Sequence, residues 1–440
     1  MIEPFRLGRT AALLLAALLF AAPAAAQRLS TREAAMTRTV DAEYDRSVAL
    51  LERLVNQNSG TLNLVGVTKV GAMMRAELEP LGFAVTWMPM DAVQRAGHLI
   101  AVHKGRPGTR RLLLIGHLDT VFETNSPFQT FVRKGELAEG PGAGDDKGGM
   151  VVMLAALRAM QAAGTLKNAN IEIVLTGDEE KSGSPHSIAR ADLIAAGKRA
   201  DVALDFEGLV IDGGRDMGSI ARRSAIDWRI TATGKTGHSS GIFAPGVGDG
   251  AINELARILA AFRKELPEPN LTFNTGVIAG GAQATLTESG DATAAGKTNI
   301  IPQTAIAIGD FRTLSPEQTA RVRARMEAIV AAHAPETDSK ITFGEGYPAM
   351  APTEGNRALL RALNGVNRDL GLPEMPALDP LKRGAGDVSF VAADVDSLAG
   401  LGPYSTGDHA PGETVDLASI RRQAKRAAIL MSRLSAQPRR

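Results

Sequence analysis

Arg111-Leu112-Leu113-Leu114-Ile115-Gly116-His117-Leu118-Asp119-Thr120 begins as an unbroken apolar run and ends in polar residues around a glycine. An apolar run without alternation is buried on both faces, as in a parallel strand covered by helices. The pattern recurs. Ile171–Leu175 leads into Thr176-Gly177-Asp178-Glu179-Glu180, and Val202–Phe206 leads into Glu207. Between the first two runs lies a strongly apolar helix, Met150–Ala163, closed by Gly164. Upstream, Thr31–Val55 reads as helical, Gly66–Leu81 as a helix ending at Gly82, and Phe83–Met88 as a strand. Strands separated by helices indicate an α/β fold, with a mixed, mostly parallel sheet flanked by helices.

From about Ser219 the character changes. Ile226–Thr233 alternates like a half-exposed strand. A helix (Ala251–Lys264), strands near Leu271–Ala279 and Ile306–Arg312, a helix from Pro316 to His333 and a last strand, Ile341–Phe343, follow. This β-α-β-β-α-β order predicts an inserted ferredoxin-like α+β domain. Helices at Asn356–Leu370 and Ala418–Leu434 complete the chain. The expected division is therefore a first catalytic part over 27–218, an inserted dimerisation or lid domain over 219–343, and a second catalytic part over 344–440.

The first 26 residues read as an address. Arg6 and Arg9 precede the apolar run Ala11–Ala22, and Ala24-Ala25-Ala26 offers small residues for cleavage before Gln27, the pattern of a secretory signal peptide. The run is short for a membrane span. Its removal takes away two positive charges and one negative from a net charge of +1, leaving a formally neutral chain. A periplasmic or secreted protein without stable membrane insertion is expected. Neutrality offers no basic field for nucleic acid. Zero Cys removes disulfides, thiolate metal sites and cysteine nucleophiles, so a metal would sit on Asp, Glu and the seven His.

In open α/β sheets ligands bind outside the carboxyl ends of the strands. Each of the three buried strands ends in His, Asp or Glu, and Gly142-Ala143-Gly144-Asp145-Asp146-Lys147-Gly148-Gly149 opens the apolar helix beside them. Neutral imidazole and anionic carboxylates suit a divalent ion. Singly, each element has a plainer reading: H-x-D as a structural pair, Asp-Asp as a helix cap, Asp-Glu-Glu as a solvated turn. Two glycine-rich decoys fail. Thr233-Gly234-Lys235-Thr236 lacks the first glycine of a phosphate loop, having Arg229 there, and the Gly140–Asp145 stretch has the wrong spacing for a dinucleotide fingerprint.

Taken together, His117-Leu118-Asp119-Thr120, Gly140-Pro141-Gly142-Ala143-Gly144-Asp145-Asp146-Lys147-Gly148, Asp178-Glu179-Glu180 and Phe206-Glu207 resemble the dinuclear-zinc aminoacylases and carboxypeptidases. Of these, the bacterial glutamate carboxypeptidases are the most similar. The likeness extends into the inserted domain through Gly234-Lys235-Thr236-Gly237-His238-Ser239, Thr298-Asn299-Ile300-Ile301-Pro302 and Asp310-Phe311-Arg312. The resemblance implies two Zn2+ ions per subunit, with Co2+ or Mn2+ as substitutes. Asp145 would bridge them, His117 and Glu207 would complete one site, and Glu180 and His409 the other. Asp119 would orient His117, and Glu179 would be the general base acting on a metal-bound hydroxide. His238 would stabilise the oxyanion in the partner subunit of a homodimer. Arg312 and Asn299 would hold the substrate carboxylate, and Arg215 would read its side chain. It also implies a cis bond between Asp145 and Asp146.

Two stretches depart from the family pattern. Gly346-Tyr347-Pro348 stands where the glutamate branch has Arg-Pro, and Arg383-Gly384-Ala385-Gly386-Asp387 stands for Gly-Gly-Thr-Asp. His98, His103, His186 and His333 fall outside the motifs and read as surface or packing residues. The substrate expected is a small peptide cleaved next to its C-terminal amino acid. The alternatives are hydrolysis of N-acyl amino acids on the same site, and a binding protein that kept the fold without catalysis.

Overall fold

A computed structural model of the chain describes residues 1, 29–287 and 290–439. The expected signal peptide therefore lies outside the described residues, apart from Met1. Among the described residues no helix is long and apolar enough to cross a membrane.

The first body is built on strands β1 (Ala84–Met90), β2 (Arg95–His103), β3 (Arg111–His117), β4 (Asn170–Thr176) and β5 (Val202–Asp205). They lie in the order β1-β2-β4-β3-β5, and the short strand Ser397–Leu398 closes the far edge. β3 is parallel to both β4 and β5, and Ser397–Leu398 is parallel to β5, whereas β1 and β2 run antiparallel. The sheet is thus mixed with a parallel centre. Helices α1 (Thr31–Ala42), α2 (Tyr44–Asn56), α3 (Leu64–Leu78) and α4 (Lys147–Ala162) precede β4. α4 is buried on nearly every side, from Lys147 to Met160, because the sheet lies on one side and the C-terminal helix Leu417–Ser435 on another. Its first turn passes tightly over β5: a Cβ on Gly149 would stand 2.1 Å from the Phe206 carbonyl oxygen, so only glycine fits.

Two differences from the sequence reading stand out. The helix expected over Thr31–Val55 is two helices broken at Glu43, and only the second carries a broad apolar stripe, from Val48 to Val55. β2 was not expected. His98 interrupts its apolar pattern, yet His98 is fully buried, with Nε2 2.8 Å from the Ala189 carbonyl oxygen and Nδ1 accepting from Gly177 N.

The second body contains β6 (Ile226–Gly234), α5 (Ala251–Glu265), β7 (Thr272–Gly281), β8 (Thr304–Arg312), α6 (Pro316–Ala331) and β9 (Thr337–Phe343). Its antiparallel order, β7-β8-β6-β9, is ferredoxin-like. Both helices cover one face, burying Trp228, Phe262, Phe311 and Met326 in a separate core. Two antiparallel segments join the bodies, with Arg222 bonded to Met350 and Ala225 to Tyr347 through main-chain pairs.

Candidate metal centre

β3 delivers His117 at its carboxyl end, and the loop before α4 delivers Asp145 beside it. The two oxygens of Asp145 face different partners: Oδ1 is 2.9 Å from His117 Nε2, and Oδ2 is 3.1 Å from His409 Nε2. His409 Nε2 is also 3.2 Å from Glu180 Oε2. Ligands at ~2.0–2.1 Å around a tetrahedral zinc stand about 3.3 Å apart. These contacts are near that edge length, and a carboxylate with one oxygen on each side is the shape a bridging ligand needs. The donor set fits a pair of divalent ions. The Asp145–Asp146 bond is cis, as the resemblance implies.

Asp119, fully buried, ties two strand ends together. Its carboxylate accepts from Thr61 Oγ1 at 2.6 Å, Glu179 N at 3.0 Å and Glu180 N at 3.1 Å. His117 Nδ1 is 3.2 Å from the Asp119 carbonyl oxygen and 3.4 Å from its Oδ1, which leaves Nε2 aimed at Asp145. The Asp145 loop has an anchor of its own. Glu413 is buried and accepts from Gly142 N, Gly144 N and Asp145 N at 2.9, 2.7 and 3.0 Å. The sequence pattern had assigned Glu413 no role. Its spacing after His409 was the available signal.

The electrostatics are those of a site with excess negative charge. Burial drives the Glu179 carboxyl well above the usual carboxylate range, and the Glu207 charge adds to this. Burial also pushes Glu180 up to about 7. Hydrogen bonds to Asp145 and Glu180 raise His409 to about 11. Burial disfavours the Asp145 charge, but hydrogen bonds from His117 and His409 outweigh it and hold the carboxyl below its ordinary value. Among the described residues, the Glu179 carboxylate takes no hydrogen bond.

Glu207 stands differently from the other expected ligands. His117, Asp145 and Glu180 have ligand atoms all within 4.8 Å of one another; His409 is outside this group but touches Asp145 and Glu180, whereas Glu207 touches none of them. Its Oε2 instead accepts from Arg222 Nη1 at 2.5 Å and Arg383 Nη2 at 3.3 Å. Arg222 in turn donates to the carbonyls of Gly384, at 2.9 Å, and of Ala385. Neither arginine was expected in the site. The Tyr347 hydroxyl donates to the Glu179 carbonyl at 2.7 Å and accepts from buried Arg190 at 2.8 Å.

The residues expected from the second body lie apart from this centre. His238 is exposed, and among the described residues its side chain bonds only to Ser240. Asn299 is exposed, with its carbonyl taken by Ser239 N. Arg312 is partly exposed and donates to Asp310 at 3.1 Å. Its Nη1 would be 3.7 Å from a Cβ on Gly384, so it abuts the loop of the first body. Arg215 requires a correction. Its hairpin (Ile211–Asp212 with Arg215–Asp216) folds over Leu372–Glu374, and the guanidinium donates to the Glu374 carbonyl, away from the ligands.

Residues 113–433 match the model of peptidase family M20/M25/M40. The chain belongs to that family. It is a metal-dependent hydrolase of the metallopeptidase class. Among curated relatives, carboxypeptidase G2 of Pseudomonas sp. (strain RS-16) is 29% identical over 97% of this chain and 98% of its own. Succinyl-diaminopimelate desuccinylase of Novosphingobium aromaticivorans is 34% identical over 48% of this chain and 56% of its own. In fold, this M20-family chain is similar to a dinuclear metal-binding peptidase of Bacillus subtilis, with a TM-score of 0.61 and 16% identity over 90% of this chain and 99% of that one.

Proposed function

We propose that this M20-family hydrolase is an exported, dinuclear zinc exopeptidase that cleaves the amide next to a C-terminal amino acid. The observation that carries the proposal is Asp145, whose two oxygens divide between His117 and His409 beside an unpaired Glu179. When bound, the ions would polarise the scissile carbonyl and acidify a water. Glu179 takes a proton from the attacking water and delivers it to the leaving nitrogen. Asp119 holds the backbone of Glu179 and Glu180 still while this happens. Arg312 and Asn299 bind the substrate carboxylate from the second body. His238 serves the oxyanion of the partner subunit in a homodimer, since no ligand of its own subunit touches it. The likeness to carboxypeptidase G2 supports the peptidase reading.

A second reading, hydrolysis of N-acyl amino acids, is favoured by Tyr347, which presents a hydroxyl already bonded on both sides where the glutamate branch presents a cation. Purified enzyme loaded with zinc, tested on peptides ending in glutamate or an apolar residue and on N-acetyl and N-succinyl amino acids, separates the two. Turnover of peptides alone supports the first reading, and turnover of acyl amino acids alone replaces it with the second. Undiminished turnover after exhaustive chelation removes the metal reading altogether.

A further inference from the structure

The two guanidinium groups on Glu207 are not equivalent. Arg222 has a second anion, with Nη1 3.2 Å from Asp205 Oδ2. Arg383 pairs with Glu207 alone among the described residues, and its Nε is buried with no hydrogen-bond partner. It is a partly buried cation whose one ion pair among the described residues is with the carboxylate that the second metal ion needs. The other ligands have already gathered without it: His117, Asp145 and Glu180 form the tight group, and His409 touches Asp145 and Glu180. Glu207 still has Oε1, which accepts no hydrogen bond among the described residues, but an ion placed there would lie beside the charge of Arg383.

We propose that Arg383 makes the two cation positions at Asp145 unequal. The first ion binds among Asp145, Glu180 and His409. The second, on the His117 side of Asp145, must also draw on Glu207, and it binds more weakly because Arg383 holds that carboxylate and repels the ion. Like charges a few ångströms apart in a partly buried site are worth at least about tenfold in affinity. The occupancy of the pair, and with it activity, then follows the supply of free cation across the range between the two affinities. This inference rests on the metal reading of the site proposed above.

The test is a titration of the metal-free full chain with Zn2+ alone, read by calorimetry and by metal analysis after dialysis. The wild type takes one tight ion and a second at least about tenfold weaker. R383G and R383Q, both without the charge, tighten the second step by at least about tenfold and leave the first unchanged, while R383K keeps the separation. H409A weakens the tight step. Equal affinities in the wild type, or a separation that both neutral variants leave intact, overturn the inference and spare the metal reading. Absence of any zinc binding overturns both.

Discussion

Asp119 and His238 were both expected to serve one reaction, yet the two bodies hold them in different ways. In the first body the polar residues are fixed by buried bonds that span the sequence: Asp119 to Thr61, Glu179 and Glu180, and Glu413 to three amides of the Asp145 loop. In the second body the His238 and Arg312 side chains bond, among the described residues, only to Ser240 and Asp310, two residues away, and Asn299 lends its carbonyl to Ser239 N. Buried bonds preorganise a group, and exposed local ones leave it to be placed by something else. The first body thus holds its polar cluster in place by itself, whereas His238, Asn299 and Arg312 stand apart from that cluster in the second.

The sharpest way to break this comparison is Glu179→Gln. The amide matches the shape of the carboxylate but takes no proton, so kcat falls ~10²–10⁴-fold while metal content and the unfolding midpoint stay the same. Retained turnover would remove Glu179 from its role. Next comes His238→Ala, expected to lower kcat by about 10²-fold with stability changed by less than ~0.5 kcal/mol. Mixing it with the Glu179→Gln chain should restore part of the activity, because one subunit's lid would then serve the other's intact base. No recovery on mixing would place the service within one subunit. Glu413→Ala leaves three buried amides without an acceptor and should cost about 3 kcal/mol in urea unfolding. Arg312→Ala, at an exposed pair, should cost less than ~0.5 kcal/mol in the same assay and raise KM instead.

A smaller effect concerns pH. Burial raises the carboxyls of Glu180, Asp205 and Glu413 to about 7. With raised values, the folded chain binds more protons than the unfolded one between about pH 4 and 7. The stability of the metal-free protein should therefore fall as pH rises through that window, and zinc should stabilise more at pH 7.5 than at pH 5.5. A thermal midpoint that rises across the window without metal would contradict this. Arg215→Ala should change neither kcat nor KM, and a fall in either would return Arg215 to the site.

Much of the first body was legible because burial writes itself into unbroken apolar runs. β3, β4, β5 and α4 each fall within a few residues of their expected places. β2 was not legible because a buried histidine satisfied by Ala189 and Gly177 looks like a solvated one in sequence. The broken helix at Glu43 was hidden for a related reason: helical propensity runs through it, and only packing against α4 decides where the second half must turn.

The residue types at the strand ends are set by the chain alone, and so is the family, since the match to it rests on sequence. His117, Asp145, Glu180 and His409 are scattered along the chain, with Asp145 and His409 264 residues apart, and their spacing carries no distance. Only the tertiary structure divides the Asp145 oxygens between two histidines, sets Glu413 under the Asp145 loop, and turns Arg222 and Arg383 onto Glu207. The reason is physical. Residue type fixes which charges a chain has, but burial and packing decide which of them meet, and in a site of this kind the meeting of charges is the function.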